Sequence, residues 1–331
     1  MKKSVKKIIA VCLAVITVAA CFTACTSNDS GESKTGGKYK IGIAQWEAHE
    51  ALDAATEGFK AAVTEKLGAD NVEFEYNTAQ GETANCSTIV NRYVSGKVDL
   101  IMANATPVVQ SAVTATKEIP IVCTSVTEYG VALGLDNFTG KTGVNVTGTS
   151  DLAPLKDQAA MVKEICPETK TVGIVYCSAE PNSKYQATEI TKYLAELGIK
   201  ATEYPFADSN DIQAIVTKAV GENDALYVPT DNTAAKNTSI IDAVARPAKK
   251  PVFAGEEGIV KGCGIVTLTI SYYDIGYQAG VMAAEILADG KNPAEMDIAY
   301  APKFTKKYNA DICKELGITV PNDYVAIDTA Q

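Results

Sequence analysis

The sequence predicts an α/β protein of two Rossmann-like lobes, each built on a parallel sheet, with a hinge between them. Three observations lead to this fold class. Apolar, β-rich runs alternate with helical patterns along the chain. These runs are apolar at nearly every position, as in strands that are buried on both faces. The second half of the chain then repeats the plan of the first half, so two similar units are expected in tandem.

The first lobe follows from the alternation that begins at residue 39. Strands are expected at 39–45, 72–76, 98–103, 119–125 and 143–147, and helices at 51–67, 83–94 and 107–116. The short apolar runs are typical of strands, and the longer segments with helical periodicity are typical of covering helices. This order favours a parallel sheet with helices on both faces.

The second lobe repeats this plan, after which the chain crosses back. The segment 156–166 opens the lobe, strands are expected at 172–177, 201–206, 225–228, 252–254 and 264–270, and helices at 184–197, 212–220 and 234–245. A helix at 273–288 suits a return to the first lobe, and a final helix is expected near 305–316. We therefore assign residues 39–148 and 271–293 to lobe 1, and residues 149–270 and 294–331 to lobe 2. The hinge is expected near Gly148, Ser271 and Pro293.

The N-terminal residues predict a secreted, lipid-anchored protein. Four lysines in the first seven residues precede an apolar stretch at 8–20, which is the pattern of a secretory signal. That stretch is too short to span a bilayer as a helix. It leads to Cys25, with Cys21 as the alternative, and each follows small residues as in a bacterial lipobox. We assign 1–24 to a signal peptide and 25–38 to a flexible tether at the outer face of the cytoplasmic membrane.

The charge of the chain argues against several kinds of partner. It carries 30 Lys and Arg against 40 Asp and Glu, and loss of the four leader lysines would leave a net charge of about −14. Such an acidic surface disfavours nucleic acid and anionic lipid headgroups. Contact with the membrane is therefore expected only through the lipid anchor, and the protein is expected to be a monomer.

No motif indicates a cofactor, a metal site or an enzyme. The nine cysteines include no CxxC pair, so metal binding is unsupported. Gly140-Lys141-Thr142 lacks the spacing and the following helix of a phosphate loop, and no GxGxxG follows the first strand. His49 is the single histidine and has Asp53 one helical turn later, but no Gly-x-Ser-x-Gly segment supplies a nucleophile. We therefore expect a binding protein, with His49 either in the cleft or at a helix start.

Small polar residues lie where the predicted strands end. In open parallel sheets, ligands bind beyond the carboxyl ends of the strands, where loops and helix N-termini converge. Such residues include Thr106, Thr124 and Ser125 in the first lobe, and Asn182 and Asp231 in the second. Thr106, Asn182 and Asp231 each precede a predicted helix, so an N-cap role is the alternative to ligand contact.

Six motifs at these strand ends recur in order over the whole mature chain. They are Gln45 with His49, Leu52 and Asp53; Ala105-Thr106-Pro107; Asn145-Val146-Thr147-Gly148 with Asp151; Glu180 with Asn182-Ser183; Pro229-Thr230-Asp231-Asn232; and Val252-Phe253-Ala254-Gly255-Glu256 leading to Tyr272-Tyr273. In this pattern the chain resembles the bacterial ABC-transporter substrate-binding lipoproteins of the tryptophan/tyrosine type. The fold of that family is the type I periplasmic binding protein.

The resemblance implies the solute-binding component of an ABC importer, which captures a small molecule between its lobes and delivers it to a permease. The implied ligand is an amino acid, with tryptophan, tyrosine and phenylalanine favoured. The candidate ligand-binding residues are Gln45, Trp46, His49, Asp53, Ala105, Thr106, Pro107, Thr124, Ser125, Glu180, Asn182, Ser183, Asp231, Asn232, Glu256 and Tyr272. The alternative is a sensory, nucleoside-binding or peptide-binding protein of the same architecture.

An α-amino acid makes two chemical demands on these residues. Its carboxylate needs hydroxyls or backbone N–H groups, and its ammonium group needs an acid. The candidate hydroxyls are those of Thr106, Thr124, Ser125 and Ser183, and the candidate acids are Asp231, Glu256 and Glu180. No arginine lies at a predicted strand end, which disfavours phosphate or a dicarboxylate. Trp46 is placed to stack against an aromatic ring.

Overall fold

Parallel strands and the helices that cover them make up most of residues 37–329, the part of the chain that this computed structural model describes. The strands are β1 (Tyr39–Gln45), β2 (Val72–Thr78), β3 (Leu100–Asn104), β4 (Ile121–Val126), β5 (Val146–Ser150), β6 (Thr171–Cys177), β7 (Lys200–Phe206), β8 (Ala225–Val228), β9 (Val252–Ala254), β10 (Val266–Thr269), β11 (Ala299–Tyr300), β12 (Thr305–Tyr308) and β13 (Val325–Ala326). The helices are α1 (Glu50–Leu67), α2 (Thr83–Ser95), α3 (Thr106–Ala115), α4 (Tyr129–Leu133), α5 (Leu155–Ile165), α6 (Pro181–Glu196), α7 (Ile212–Glu222), α8 (Asn232–Lys236), α9 (Thr238–Ala245), α10 (Glu257–Gly262), α11 (Tyr272–Asp289) and α12 (Ala310–Leu316).

The strands form two sheets, so the predicted fold class of two α/β lobes is confirmed. The first sheet has the strand order β11-β5-β4-β3-β1-β2, and all of its neighbouring strands are parallel. The second sheet has the order β13-β12-β10-β9-β8-β6-β7. It is parallel except where β12 runs antiparallel to β10.

Burial on both faces of the sheet explains the continuous apolar strands. In β3, Leu100 and Met102 pack into a core cluster with residues of α1 and α11. Ile101 and Ala103, which point the other way, pack into a second cluster with residues of α2 and α3. Because successive side chains point to opposite faces, most positions of such a strand are apolar.

Within residues 37–329, the chain passes between the two sheets three times. The crossings are residues 151–154 after β5, residues 270–271 after β10, and residues 301–304 after β11. Since β11 pairs with β5, the first sheet contains chain as far as Tyr300, beyond the lobe bound of 293 that we assigned from the sequence. The crossings at 151–154 and 270–271 adjoin the hinge positions expected near Gly148 and Ser271.

Two glycines allow helix α11 to lie directly on helix α1. A Cβ atom on Gly276 would be 2.0 Å from the carbonyl oxygen of Ala55, and one on Gly58 would be 2.1 Å from the carbonyl oxygen of Tyr273. Both distances are far below van der Waals contact, and in both cases the neighbouring atom belongs to the backbone of the facing helix. The close approach of the two helices therefore requires glycine at these positions.

Two local predictions differ from the structure, and one short helix was not expected. The expected helix near 305–316 begins only at Ala310, because residues 305–308 pair with β10 as strand β12. The expected helix at 234–245 is two helices, which meet at Asn237, where the backbone leaves the helical conformation. The short helix α4, which ends at Gly134 in the left-handed conformation, was not predicted.

Several predictions concern residues outside the described range. The signal peptide at 1–24, most of the tether at 25–38, and both Cys21 and Cys25 fall there. Within residues 37–329, no helix has the length and apolar character needed to cross a membrane.

Candidate ligand-binding site

The backbone adopts left-handed conformations at the carboxyl ends of β3 and β4. Ala105 has φ +82° and Ser125 has φ +56°, values that cost energy for residues with a side chain. The N–H of Ala105 donates to the carbonyl of Thr124 at 3.1 Å, so the two strand ends lie side by side. Such backbone strain concentrates at functional sites, where the surrounding structure enforces it.

Two buried hydroxyls at these strand ends have no hydrogen-bond partner within the described chain. They are Thr106 Oγ1 and Ser125 Oγ. Thr106 is the first residue of α3, and Pro107 follows it in the first turn, where a missing N–H costs nothing. The hydroxyls thus lie beside a helix N-terminus, where the helix dipole favours a negatively charged group.

Trp46 follows β1 and is 4% exposed, with an indole N–H that also lacks a partner among residues 37–329. It lines a cavity of about 490 Å³ whose wall comes from both lobes. Cys177 and Thr233 belong to the opposite wall of this cavity, which lies between the carboxyl ends of the two sheets. We call this interlobe region the cleft.

Other candidate residues of lobe 1 bind one another. Gln45 Nε2 donates to Asp53 Oδ1 at 2.7 Å, and Gln45 Oε1 accepts from the hydroxyl of Thr56 at 2.7 Å. Thr124 Oγ1 accepts from the hydroxyl of Thr149 at 3.0 Å. The structure therefore places Gln45 and Asp53 in one hydrogen-bond network and Thr124 in a separate hydrogen bond, and their contact with a ligand stays a prediction.

The loop between β1 and α1 contacts the second lobe through three side chains. His49 Nε2 lies 3.1 Å from Asn232 Oδ1, and burial lowers the pKa of His49. Glu47 forms an ion pair with Lys236. Glu50 Oε2 lies 3.2 Å from Lys261 Nζ. These contacts connect the two lobes directly.

In the second lobe, the buried carboxylate of Glu180 organises the start of α8. Its Oε1 accepts from the N–H of Thr233 at 2.9 Å and from the hydroxyl of Thr233 at 2.8 Å. Its Oε2 accepts from the N–H and the side-chain amide of Asn232 at 3.1 and 2.5 Å. Both oxygens of Glu180 are therefore bound within its own lobe.

Asp231 and Glu256 are helix N-caps. Asp231 Oδ1 accepts from the N–H of Ala234 at 2.8 Å, and Oδ2 accepts from the N–H of Cys177 at 2.7 Å. Glu256 accepts from the N–H groups of Gly258 and Ile259, both at 2.6 Å. Burial, together with the charge of Glu180, raises the pKa of Asp231, and burial raises the pKa of Glu256 to about 7.

Of the three residues for which we considered an N-cap role, only Asp231 has it. Ala105 occupies the N-cap position before Thr106, and Glu180 occupies that position before the helix containing Asn182. Asn182 Nδ2 donates to the hydroxyl of Ser183 at 3.2 Å, whereas Asn182 Oδ1 is buried without a partner in the described residues. Thr106 and Asn182 are thus free for another role.

One buried acid at a strand end belongs to a motif named above but was not among the candidates. Asp151 follows β5 and is 5% exposed. Its Oδ2 accepts from the hydroxyl of Tyr272 at 3.2 Å, whereas its Oδ1 is buried without a partner in residues 37–329. The signal in the sequence was its place at a strand end, next to a predicted crossing.

Comparisons with known proteins agree with this arrangement. Residues 40–330 match the family described as ABC transporter substrate binding protein. A tyrosine-binding protein of Clostridioides difficile is 34% identical over 320 residues, which is 94% of this chain and 92% of that protein.

Two solved structures show the same fold. An ABC domain from Streptococcus pneumoniae in complex with L-Trp is 30% identical, with a TM-score of 0.83 over 86% of this chain and 97% of that one. The ligand-free, open structure of a substrate binding protein from Clostridium difficile is 35% identical, with a TM-score of 0.68 over 88% and 100%.

The fold is that of the type I periplasmic binding proteins, as the sequence predicted. Members of the matched family are extracytoplasmic proteins that bind a small-molecule substrate for an ABC transporter and its permease, and they are not enzymes. The match extends over nearly all of the described residues. The chain therefore belongs to the ABC transporter substrate binding protein family.

Proposed function

We propose that this protein captures an aromatic amino acid in the cleft and delivers it to the permease of an ABC importer. The single observation that carries the proposal is the pair of buried, unpartnered hydroxyls of Thr106 and Ser125 beside the N-terminus of α3. Hydroxyls at a helix N-terminus are suited to a carboxylate. The relatives support the ligand class, since one is a tyrosine-binding protein and another was solved with L-Trp.

Trp46 supports an aromatic side chain in the ligand. Its indole ring is buried at the end of β1 and lines the cavity shared by both lobes. Aromatic pairs contribute about 0.5–1.5 kcal/mol beyond the burial of their area. The buried amide oxygen of Asn182 and the indole N–H of Trp46 add polar groups that a ring hydroxyl or an indole N–H of the ligand could satisfy.

Thermal unfolding against a panel of metabolites tests this function. The panel holds the amino acids, nucleosides and dipeptides, and the first expected result is stabilisation by tyrosine, tryptophan or phenylalanine. A ligand that binds only the folded protein adds about 2.7 kcal/mol at a concentration one hundred times its Kd. Larger stabilisation by a nucleoside or dipeptide would favour the alternative function instead.

Closure of the lobes on the ligand is expected from the three crossing segments, since hinge closure is a common motion of this layout. Small-angle scattering should give a smaller radius of gyration with saturating tyrosine or tryptophan than without it. Contacts such as His49 with Asn232 can form only when the lobes are close together. An unchanged radius of gyration at saturation would contradict closure.

The lipid anchor forms the last part of the proposal, with residues 1–24 as the signal peptide, 25–38 as the tether and Cys25 as the lipidated residue. Replacing Cys25 by alanine is expected to release soluble protein from the membrane, because the thiol that carries the diacylglyceryl group is removed. Fractionation and labelling with a radioactive fatty acid would measure this. If Cys21→Ala loses the label and Cys25→Ala keeps it, the assignment moves to Cys21.

A further inference from the structure

Asp151 lies where the first crossing segment leaves the first sheet. Its N–H donates to the carbonyl of Val126 at 3.3 Å, so it is adjacent to the end of β4 that carries Ser125. The side chain is buried; Oδ2 accepts from the hydroxyl of Tyr272, the hydroxyl of Thr127 also acts on the carboxylate, and Oδ1 has no hydrogen-bond partner of normal geometry within residues 37–329. Tyr272 begins α11 directly after the second crossing, so this hydrogen bond links the first and second crossing segments.

The Asp151 carboxylate has no cationic partner among residues 37–329. The groups that affect its pKa are the hydroxyls of Thr127 and Tyr272 and its own backbone, and its burial raises that pKa to about 6. Tyr129 and Glu256, the other titratable groups near this pair, are not cations either. A buried carboxylate is costly unless a positive charge accompanies it.

The three acids that the sequence suggested for the ammonium group use their oxygens differently. Glu180, Asp231 and Glu256 each have both carboxylate oxygens bound to donors of their own lobe. Asp151 differs because one oxygen is buried and free of any such donor. Of these four acids, Asp151 is the one with a buried carboxylate oxygen that accepts no hydrogen bond from the fold.

The strand order places this oxygen beside the unpartnered hydroxyls. β3, β4 and β5 are consecutive neighbours in the first sheet. Thr106 and Asp151 follow the ends of β3 and β5, Ser125 is the penultimate residue of β4, and adjacent strands lie about 4.8 Å apart. Hydroxyls at two strand ends and a carboxylate at the third match the carboxylate and the ammonium group of an α-amino acid, which are separated by a single carbon atom.

We propose that Asp151 binds the α-ammonium group of the ligand and so makes the cleft selective for amino acids over the corresponding carboxylic acids. This inference rests on the proposed function. It assigns to Asp151 the role that the sequence suggested for Asp231, Glu256 or Glu180, and it leaves those three residues as parts of the scaffold.

The test combines one protein change with one ligand change. Calorimetry would compare tyrosine with desaminotyrosine, and tryptophan with indolepropionate, because each acid lacks only the ammonium group. For the amino acids, Asp151→Asn is expected to weaken binding about 100- to 1000-fold, which is about 2.8–4.2 kcal/mol at about 1.4 kcal/mol per tenfold, because the buried ammonium group loses its charged partner. For the two acids the change should be less than about threefold, because no ammonium group is lost. Asp157→Asn makes the same charge change at an exposed position of α5 and should leave all four affinities unaltered.

The outcomes separate this inference from the proposed function. If the wild-type protein binds aromatic amino acids but Asp151→Asn weakens amino acids and acids equally, the inference is wrong and the function stands. If the wild-type protein binds no amino acid, both are wrong.

If Asp151→Asn does not fold, the release of protons when the wild-type protein binds its ligand tests the inference instead, because a bound ammonium group lowers the pKa of Asp151. Calorimetry near pH 6 in buffers of different ionisation enthalpy should show protons released by tyrosine and none by desaminotyrosine. Equal release with both ligands would overturn the inference.

Discussion

Replacing Gly276 with valine should remove most of the stability of the protein. The new Cβ would overlap the carbonyl oxygen of Ala55, and the branched side chain would extend the overlap along α1. Backbone atoms cannot rotate away as a side chain can, so α1 and α11 would have to separate. Overpacking typically costs about 1–3 kcal/mol and occasionally more. Since a domain is stable by only about 5–15 kcal/mol, we expect a loss above 3 kcal/mol or no soluble protein.

Urea unfolding of Gly276→Ala, a smaller change, gives a measurable intermediate case. The matched control is Gly221→Ala, because Gly221 lies in helix α7 and a Cβ there meets no atom within 4 Å. Alanine at that position should be neutral or stabilise the protein by up to about 1 kcal/mol through helix propensity. If Gly276→Ala and Gly221→Ala unfolded at the same urea concentration, the close packing of the two helices would be refuted.

Replacing Asp231 with alanine should lower the free energy of unfolding by about 2–4 kcal/mol in the absence of ligand. The change removes the N-cap of α8, which costs about 0.5–2 kcal/mol. It also leaves the buried N–H of Cys177 without its acceptor, which costs about 1–3 kcal/mol. Chemical unfolding followed by circular dichroism would measure the loss.

A second aspartate provides the control for this prediction. Asp211 occupies the N-cap position of α7 but makes no side-chain capping bond and is exposed, so Asp211→Ala should change stability by less than about 0.5 kcal/mol. The variant Asp231→Asn does not distinguish helix capping from ligand binding. The side-chain NH2 group of asparagine would face the N–H of Cys177 or of Ala234, so the capping hydrogen bonds would also be disturbed. A stable Asp231→Ala with lost ligand affinity would instead return Asp231 to direct contact with the ligand.

The sequence predicts the strands of this fold well because their environment is simple. A strand buried on both faces is apolar along most of its length, as residues 100–103 of β3 and 121–123 of β4 show, and the polar residues of these two strands lie towards their carboxyl ends. Strand β12 could not be found in this way, because Thr305–Tyr308 contains two lysines and gains its structure from pairing with β10. That pairing joins distant segments and leaves no local pattern.

The candidate site was predictable in position but not in detail. Looking at strand ends led to Trp46, Thr106, Ser125 and Asn182, all of which carry an unpartnered buried atom in the described residues. The same reasoning could not tell that the side chain of Gln45 turns into its own lobe, where Thr56 and Asp53 bind it. Sequence position gives the edge of the sheet, whereas the direction of a side chain depends on neighbours that are distant along the chain.

The threefold passage of the chain between the sheets also sets the order in which the lobes can be completed. The face of the first sheet that contains Ile41 and Met102 is covered in part by Ala279, Ala283 and Ile286 of α11. During synthesis these residues emerge only after all of β6 to β10 has been made. Lobe 1, whose synthesis begins first, therefore cannot complete its folding before strands β6 to β10 of lobe 2 have been made. A chain that ends before α11 would expose an apolar sheet face to solvent.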